Sequence, residues 1–237
     1  MKNIGLIGCG NIAETYFRAQ EYFNNINFVS CADINLDAAK KTAEQYNIIP
    51  LSVDEILNDK NVDIILNLTI PQAHYEISKR ALESNKHVYC EKPMSVKFDE
   101  AKELLNLAKK NSLYIGNAPD TFLGGGGQLT RNLIDNNDIG QVLTGNFIFA
   151  FPGVQDFHPS PESWFQEGGG PVIDMGPYFF TTLVNLLGPV KNIRGRGAKF
   201  FDKREYKAGP KKGETFNVEI PTSYMFNIEF QNKAIIQ

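Results

Sequence analysis

Over the first half of the chain, short apolar runs alternate with segments whose apolar positions recur at helical spacing. An apolar run bounded by turn residues predicts a buried strand, and the helical spacing predicts a helix with one face turned to a core. The pattern predicts strands over residues 4–8, 28–32, 62–69, 87–90 and 113–116, and helices over 11–23, 36–46, 52–58, 73–84 and 98–110. Ile12, Tyr16 and Ala19 share a face of the first helix, Asn35 stands where the second helix wants a cap, and Pro71 ends the strand VDIILNLT. Strands buried on both faces and separated by helices imply parallel βαβ units, hence a doubly wound sheet covered on both sides.

Near Ala118 the pattern changes. Pro119, Asp120 and the four glycines 124–127 punctuate the chain, and the glycines read as a hinge between domains. Beyond them the pattern predicts a helix over 128–135, a long strand over 142–151, and a loop rich in proline and aromatics over 157–167. It then predicts a helix over 171–187, with Pro171 tolerated in its first turn. Residues 190–201 and 216–230 are strand-rich and look antiparallel. The expected organisation is an α/β domain over 1–118 and an α+β domain over 119–237 with an open, mostly antiparallel sheet.

Composition narrows the function. The 237 residues carry a net charge of -3 with both signs mixed along the chain, so no basic stripe suits a nucleic acid. Lys203, Arg204, Lys207, Lys211 and Lys212 are interrupted by Asp202, Glu205 and Glu214 and read as a solvated loop. No stretch reaches the roughly 20 apolar residues of a membrane span, and the N-terminus reads as a first strand rather than a secretion signal. Cys9, Cys31 and Cys90 lack framework spacing, which predicts reduced thiols and a cytoplasmic location. His74, His87 and His158 lack metal-ligand spacing, so no metal is expected.

The chemistry starts at Gly8-Cys9-Gly10-Asn11-Ile12-Ala13, which closes the first strand and opens the first helix. In that context Gly8 permits a tight turn, Gly10 lets the backbone approach a pyrophosphate, and Ala13 lets the helix pack close to the sheet: a Rossmann dinucleotide fingerprint. Asp33 ends the second strand at the offset where a carboxylate accepts the adenosine ribose 2′-hydroxyl. A 2′-phosphate would be repelled there, and Ile34 and Asn35 add no cation, so NAD is expected over NADP.

Two further motifs follow in order: HVYCEKP, with Glu91-Lys92-Pro93 at the end of a predicted parallel strand, and GGGPVIDMGPY from Gly168 to Tyr178. With the N-terminal fingerprint, this set resembles the Gfo/Idh/MocA oxidoreductases, a family that includes inositol dehydrogenase and glucose–fructose oxidoreductase. The resemblance implies a Rossmann domain followed by an open-sheet α+β domain, with the nicotinamide between them and a sugar, cyclitol or related polyol as substrate. By the same resemblance Lys92 reaches the reacting oxygen and Asp174 orients the substrate. Tyr178 stands where many members have histidine, and in this the chain resembles the glucose–fructose and dihydrodiol branches, which carry a tyrosine there. His74 falls near the nicotinamide side. The cofactor set is then Gly8, Gly10, Asn11, Ile12, Asp33, Thr69, Pro71, His74, Glu91 and Lys92. Family members commonly associate through the open face of the second-domain sheet, so a homo-oligomer is expected. Family chains usually run past the point where this sequence stops, so the second domain is expected to be partial.

Asp174 and Tyr178 lie at i and i+4 on the helix predicted over 171–187 and so share a face. Two proton-transfer schemes stay open. In one, Tyr178 is the base, its pKa lowered from ~10 by the Lys92 charge; in the other, Lys92 is the base. His158 and Trp164, in the loop before GGGP, are candidate sugar contacts, with packing as the alternative for Trp164. His87 reads as structural. A different class also stays open: a non-catalytic dinucleotide-binding regulator, or an inactive shortened member. A third reading keeps the enzyme but makes it NADP-dependent and active on dihydrodiols.

Overall fold

The computed structural model describes residues 1–237, which form two compact units, Met1–Ala118 and Pro119–Gln237. In the first unit the strands are β1 (Lys2–Ile7), β2 (Ile26–Ala32), β3 (Ile49–Pro50), β4 (Ile64–Asn67), β5 (His87–Cys90) and β6 (Ile115–Asn117). The helices are α1 (Ala13–Ala19), α2 (Leu36–Tyr46), α3 (Val53–Asn58), α4 (Pro71–Glu83) and α5 (Phe98–Lys110). All strand pairs are parallel, in the order β3-β2-β1-β4-β5-β6. The order reverses between β1 and β4, and the crevice beyond the carboxyl ends of those two strands is where such sheets bind ligands.

The alternation of side chains along each strand feeds two cores. Ile7 and Ile65 point into one with Ile56, Val88 and Leu104; Leu6 and Leu66 point into the other with Phe17, Phe28 and Cys31. Local signals set the helix ends. Asn35 accepts the Asp37 and Ala38 amides at the start of α2. Ser52 and Glu55 form a reciprocal capping box on α3. Pro71 occupies the first turn of α4, where its missing N–H costs nothing. The first helix is shorter than its apolar spacing predicts: it starts at Ala13 and ends in a 3₁₀ turn, Gln20–Tyr22. The edge strand β3 was hidden because two residues show no alternation.

The second unit contains α6 (Gly125–Asp135), β7 (Thr144–Gly145), α7 (Gly170–Asp174), α8 (Gly176–Leu187), β8 (Val190–Ala198), β9 (Lys203–Glu205), β10 (Thr215–Asn217), β11 (Ser223–Phe230) and β12 (Ile235–Ile236). One sheet runs β7-β12-β11-β8, parallel only between β7 and β12, and β9 and β10 form a separate antiparallel hairpin. Phe180, Leu183 and Leu187 of α8 pack on Ile228, Phe230 and Ile236. No helix is long and apolar enough to cross a membrane.

Five expectations are corrected here. The helix expected over 171–187 is two helices with Met175 between them, because Pro177 has no N–H to carry the ladder forward. Of the strand expected over 142–151, only Thr144–Gly145 forms a ladder, opposite Ile235–Ile236; the Phe147 amide still donates to the Gln237 carbonyl, and no strand pairs with 148–151. The basic segment read as a solvated loop contributes β9, whose Lys203, Arg204 and Glu205 pair with Asn217, Phe216 and Thr215. The stretch 216–230 is divided between β10 and β11, with Pro221 in the break. The glycines 124–127 are a helix start, not a hinge: Gly124 caps α6, and a Cβ on Gly127 would lie 2.0 Å from the Phe122 carbonyl oxygen.

Candidate functional site

At the end of β1 the chain turns through Gly8 at φ +104, where a Cβ would lie 2.6 Å from the Leu68 carbonyl beyond β4. Glycine is therefore required twice, by conformation and by contact. A Cβ on Gly10 would meet nothing within 4 Å, so the backbone there is open to a ligand. Asn11 and Ile12 follow in the exposed approach to α1, which has no side-chain cap. Asp33, just past β2, accepts the Cys9 amide on Oδ2 and the Asn35 amide on Oδ1, each at 2.7 Å. These bonds fix the carboxylate while each oxygen keeps a lone pair. The residues present fit a dinucleotide: open backbone at Gly10 and a fixed carboxylate at the end of the neighbouring strand.

Cys9 lies within this turn. Hydrogen bonding from Cys31 lowers its thiol pKa and raises that of Cys31. Burial pushes the Cys90 thiol up to about 12. All three cysteines are free thiols.

Across the crevice, the turn after β4 is held by Asn67, whose side chain is fully buried. Its Nδ2 donates to the His74 carbonyl and to Ser78 Oγ, both at 3.0 Å, while its Oδ1 accepts the Thr69 hydroxyl at 2.7 Å. His74 is 1% exposed. Its Nε2 faces the Thr69 carbonyl oxygen at 2.9 Å and its Nδ1 faces the Pro93 carbonyl oxygen at 2.5 Å. The ring thus ties the turn after β4 to the Lys92-Pro93 turn after β5, and Pro71 sets the start of α4 just beyond.

Glu91 is held from both sides: Tyr16 OH donates to Oε1 at 2.8 Å and the Lys92 amide donates to Oε2 at 2.9 Å. Asn117 Nδ2 donates to the Cys90 and Glu91 carbonyls. Glu91 therefore orients the backbone that carries Lys92, and the Lys92–Pro93 peptide is cis. Sequence reasoning passed over Asn67 and Asn117 and read Tyr16 only as part of a helix face. The signal for Asn67 was a polar residue at the end of an otherwise apolar buried strand.

In the second unit, Trp164 Nε1 donates to Asp174 Oδ2 at 2.9 Å. Trp164 also meets Phe151 and Phe165 edge-on, at 5.9 and 4.8 Å between ring centroids, so it packs and orients Asp174 at once. Asp174 ends α7 and Tyr178 lies in the first turn of α8, with the Tyr178 amide donating to the Met175 carbonyl at 3.1 Å. A cavity of about 630 Å³ in the same unit is lined by Phe149, Phe151, Trp164, Phe179 and Tyr224 among others, with neither Asp174 nor Tyr178 on its wall. His158 is not gathered into this group: it is exposed, and its Nδ1 accepts the Ser160 amide within its own turn. His87 accepts the Tyr114 amide and packs on that ring.

Residues 2–117 match the Gfo/Idh/MocA family description "Oxidoreductase family, NAD-binding Rossmann fold", and residues 128–237 match "GFO/IDH/MocA C-terminal domain". An uncharacterized oxidoreductase of Schizosaccharomyces pombe is 32% identical over 152 residues, covering 63% of this chain and 40% of that protein. A D-xylose dehydrogenase of Paenarthrobacter nicotinovorans is 27% identical over 177 residues, covering 72% and 46%. The chain thus spans less than half the length of either relative. Among solved structures, a levoglucosan dehydrogenase in complex with NADH and levoglucosan superposes with a TM-score of 0.82 at 23% identity, over 99% of this chain and 65% of that one.

Proposed function

The chain belongs to the Gfo/Idh/MocA family of oxidoreductases, and from that premise we propose that it transfers a hydride between NAD and the carbinol carbon of a sugar, cyclitol or related polyol. The observation that carries this reading is the β1–β4 crevice, where Gly8 is pressed against Leu68, Gly10 is open, and the Asp33 carboxylate is fixed by two amides. Gly8, Gly10, Asn11 and Ile12 would hold the diphosphate, and Asp33 the adenosine ribose. Thr69, Pro71 and the Glu91-Lys92 backbone line the nicotinamide side, with His74 behind them. Bound NAD supplies the hydride acceptor. Asp33 favours NAD over NADP because a 2′-phosphate would sit against its charge with no compensating cation at Ile34 or Asn35.

Lys92, Asp174 and Tyr178 are the groups assigned to the substrate. The Lys92 ammonium polarises the reacting oxygen, Tyr178 exchanges its proton, and Asp174, held by Trp164, fixes a neighbouring hydroxyl. The D-xylose and levoglucosan dehydrogenases support a sugar as the substrate class.

The test is a fluorescence titration with NADH and NADPH, followed by turnover on a panel of pentoses, hexoses, inositols and anhydrosugars. Wild type is expected to bind NADH at least about tenfold more tightly than NADPH, and Asp33→Ala to erode that gap. Lys92→Met and Tyr178→Phe are expected to lower kcat by about 10²-fold or more with NADH affinity unchanged. Their pH–rate profiles separate Tyr178 from Lys92 as the base. Tight NADH binding without turnover on any panel member would overturn the dehydrogenase reading and leave a dinucleotide-binding regulator.

A further inference from the structure

The turn that carries Lys92 is tied to its surroundings on both sides of the lysine. Before it, Asn117 Nδ2 on β6 donates to the Glu91 carbonyl at 3.0 Å. After it, the His74 ring on α4 faces the Pro93 carbonyl. A further tie runs through a side chain. Glu91 Oε2 accepts the Lys92 amide at 2.9 Å, and Glu91 Oε1 accepts the Tyr16 hydroxyl at 2.8 Å. This tie differs from the others in its origin, because Tyr16 belongs to α1, the helix into which the glycine turn leads.

The bridge is built to transmit displacement. A carboxylate is one planar group, so an oxygen placed on each partner links the position of the Tyr16 hydroxyl to that of the Lys92 main chain. Tyr16, Glu91 and Lys92 are all half-buried, and partial exclusion of water strengthens such bonds. The Tyr16 ring is itself fixed. It meets Tyr89 edge-on at 6.2 Å between centroids and packs on the core that holds Leu6, Phe17 and Leu66. That packing needs only a ring; the hydroxyl adds the bond to Glu91. At the other end, Tyr16 lies four residues beyond Ile12, one helical turn from the segment assigned to the diphosphate.

We propose that Tyr16 is a positioning residue that couples the glycine turn to Lys92 through Glu91, so that a seated dinucleotide stiffens the lysine for its part in the reaction. The proposal rests on the hydride-transfer reading above and adds to it an order of events: the cofactor binds first and readies the lysine for the sugar. A polarising group must hold its distance to the reacting oxygen closely, and a small misplacement lowers the rate steeply.

The test compares wild type with Tyr16→Phe, which keeps the ring and its packing and removes the hydroxyl. Amide hydrogen exchange is followed with and without NADH. NADH is expected to slow exchange of the Lys92 amide at least about tenfold in wild type and less than about twofold in Tyr16→Phe. On the sugar panel, Tyr16→Phe is expected to lower kcat about tenfold, with KM and NADH affinity within about twofold of wild type. Glu91→Gln is expected to lower kcat by a similar factor, and the double variant to be no slower than the slower single, since both break one bridge. Equal protection of the Lys92 amide by NADH in wild type and Tyr16→Phe would overturn the proposal. An unchanged kcat, a loss confined to Tm, or losses that multiply in the double variant would overturn it as well. A wild type that binds NADH but turns over no panel member would count against the dehydrogenase reading, and the exchange of the Lys92 amide would then decide the coupling alone.

Discussion

Replacing His74 with phenylalanine isolates what the buried imidazole contributes. The substitution keeps a planar ring of similar size in a position only 1% exposed, and removes both ring nitrogens. The carbonyls of Thr69 and Pro93, which those nitrogens face at 2.9 and 2.5 Å, are left without that partner. A neutral imidazole carries one N–H, so one of the two carbonyls loses a donor, at a cost of about 2 kcal/mol. That is a large fraction of the 5–15 kcal/mol that typically separates a folded domain from its unfolded chain. For a protein of this size it corresponds to a fall in Tm of roughly 4–8 °C. Differential scanning calorimetry of the two proteins at one pH measures it directly. NADH affinity is expected to fall as well, because the turns after β4 and β5 lose their common tie. A Tm within about 2 °C of wild type, with NADH affinity unchanged, would refute the reasoning: the freed carbonyl would then have found another donor.

Two further outcomes follow from geometry already described. Gly8→Ala places a methyl group 2.6 Å from the Leu68 carbonyl at φ +104, where backbone rather than a flexible side chain must yield. It is expected to cost about 2 kcal/mol or more by urea unfolding and to abolish NADH binding; near-normal values of both would show that the β1–β4 contact is slack. Glu162 is held well below its ordinary carboxyl pKa of 4.5, at about 2, first by the Tyr206 hydroxyl, then by its own amide, with Lys211 adding to them. Because the folded value is depressed, this stabilisation is present above the unfolded pKa and is lost as pH falls from 4.5 towards 2. The Tm difference between wild type and Glu162→Gln is therefore expected to shrink across that window, and a difference that stays constant with pH would exclude the linkage.

The first unit was legible because its signals are local. Gly8, Gly10 and Asp33 sit at fixed offsets from apolar runs, and Asn35 caps the helix it was expected to cap. The second unit was less legible because its elements depend on distant partners. The aromatic alternation past Gly145 looks like a strand, yet a ladder exists only where Ile235–Ile236 pairs with it. The β9–β10 hairpin escaped notice because Lys203 and Glu205 are exposed and carry no apolar alternation. The break at Met175 was foreshadowed by Pro177 but masked by the apolar spacing on either side. In the candidate site, Gly8, Gly10, Asp33, Lys92, Asp174 and Tyr178 were marked by motif. The polar knot of Asn67, Ser78 and His74 was not, because nothing in a linear sequence says which buried polar groups will meet.

The position of β1 has a bearing on how the protein is made. Ile4 lies beside Phe28 on one side and Ile64 on the other, so β1 cannot complete its pairing until β4 has left the ribosome. At typical elongation rates of about 5–20 residues per second that interval lasts several seconds, against roughly microseconds for nonspecific collapse. For that time the apolar stretch Ile4–Ile7 is an incomplete ladder, and the nascent chain depends on chaperones or on early docking of α1 and β2 to keep it from associating with its neighbours.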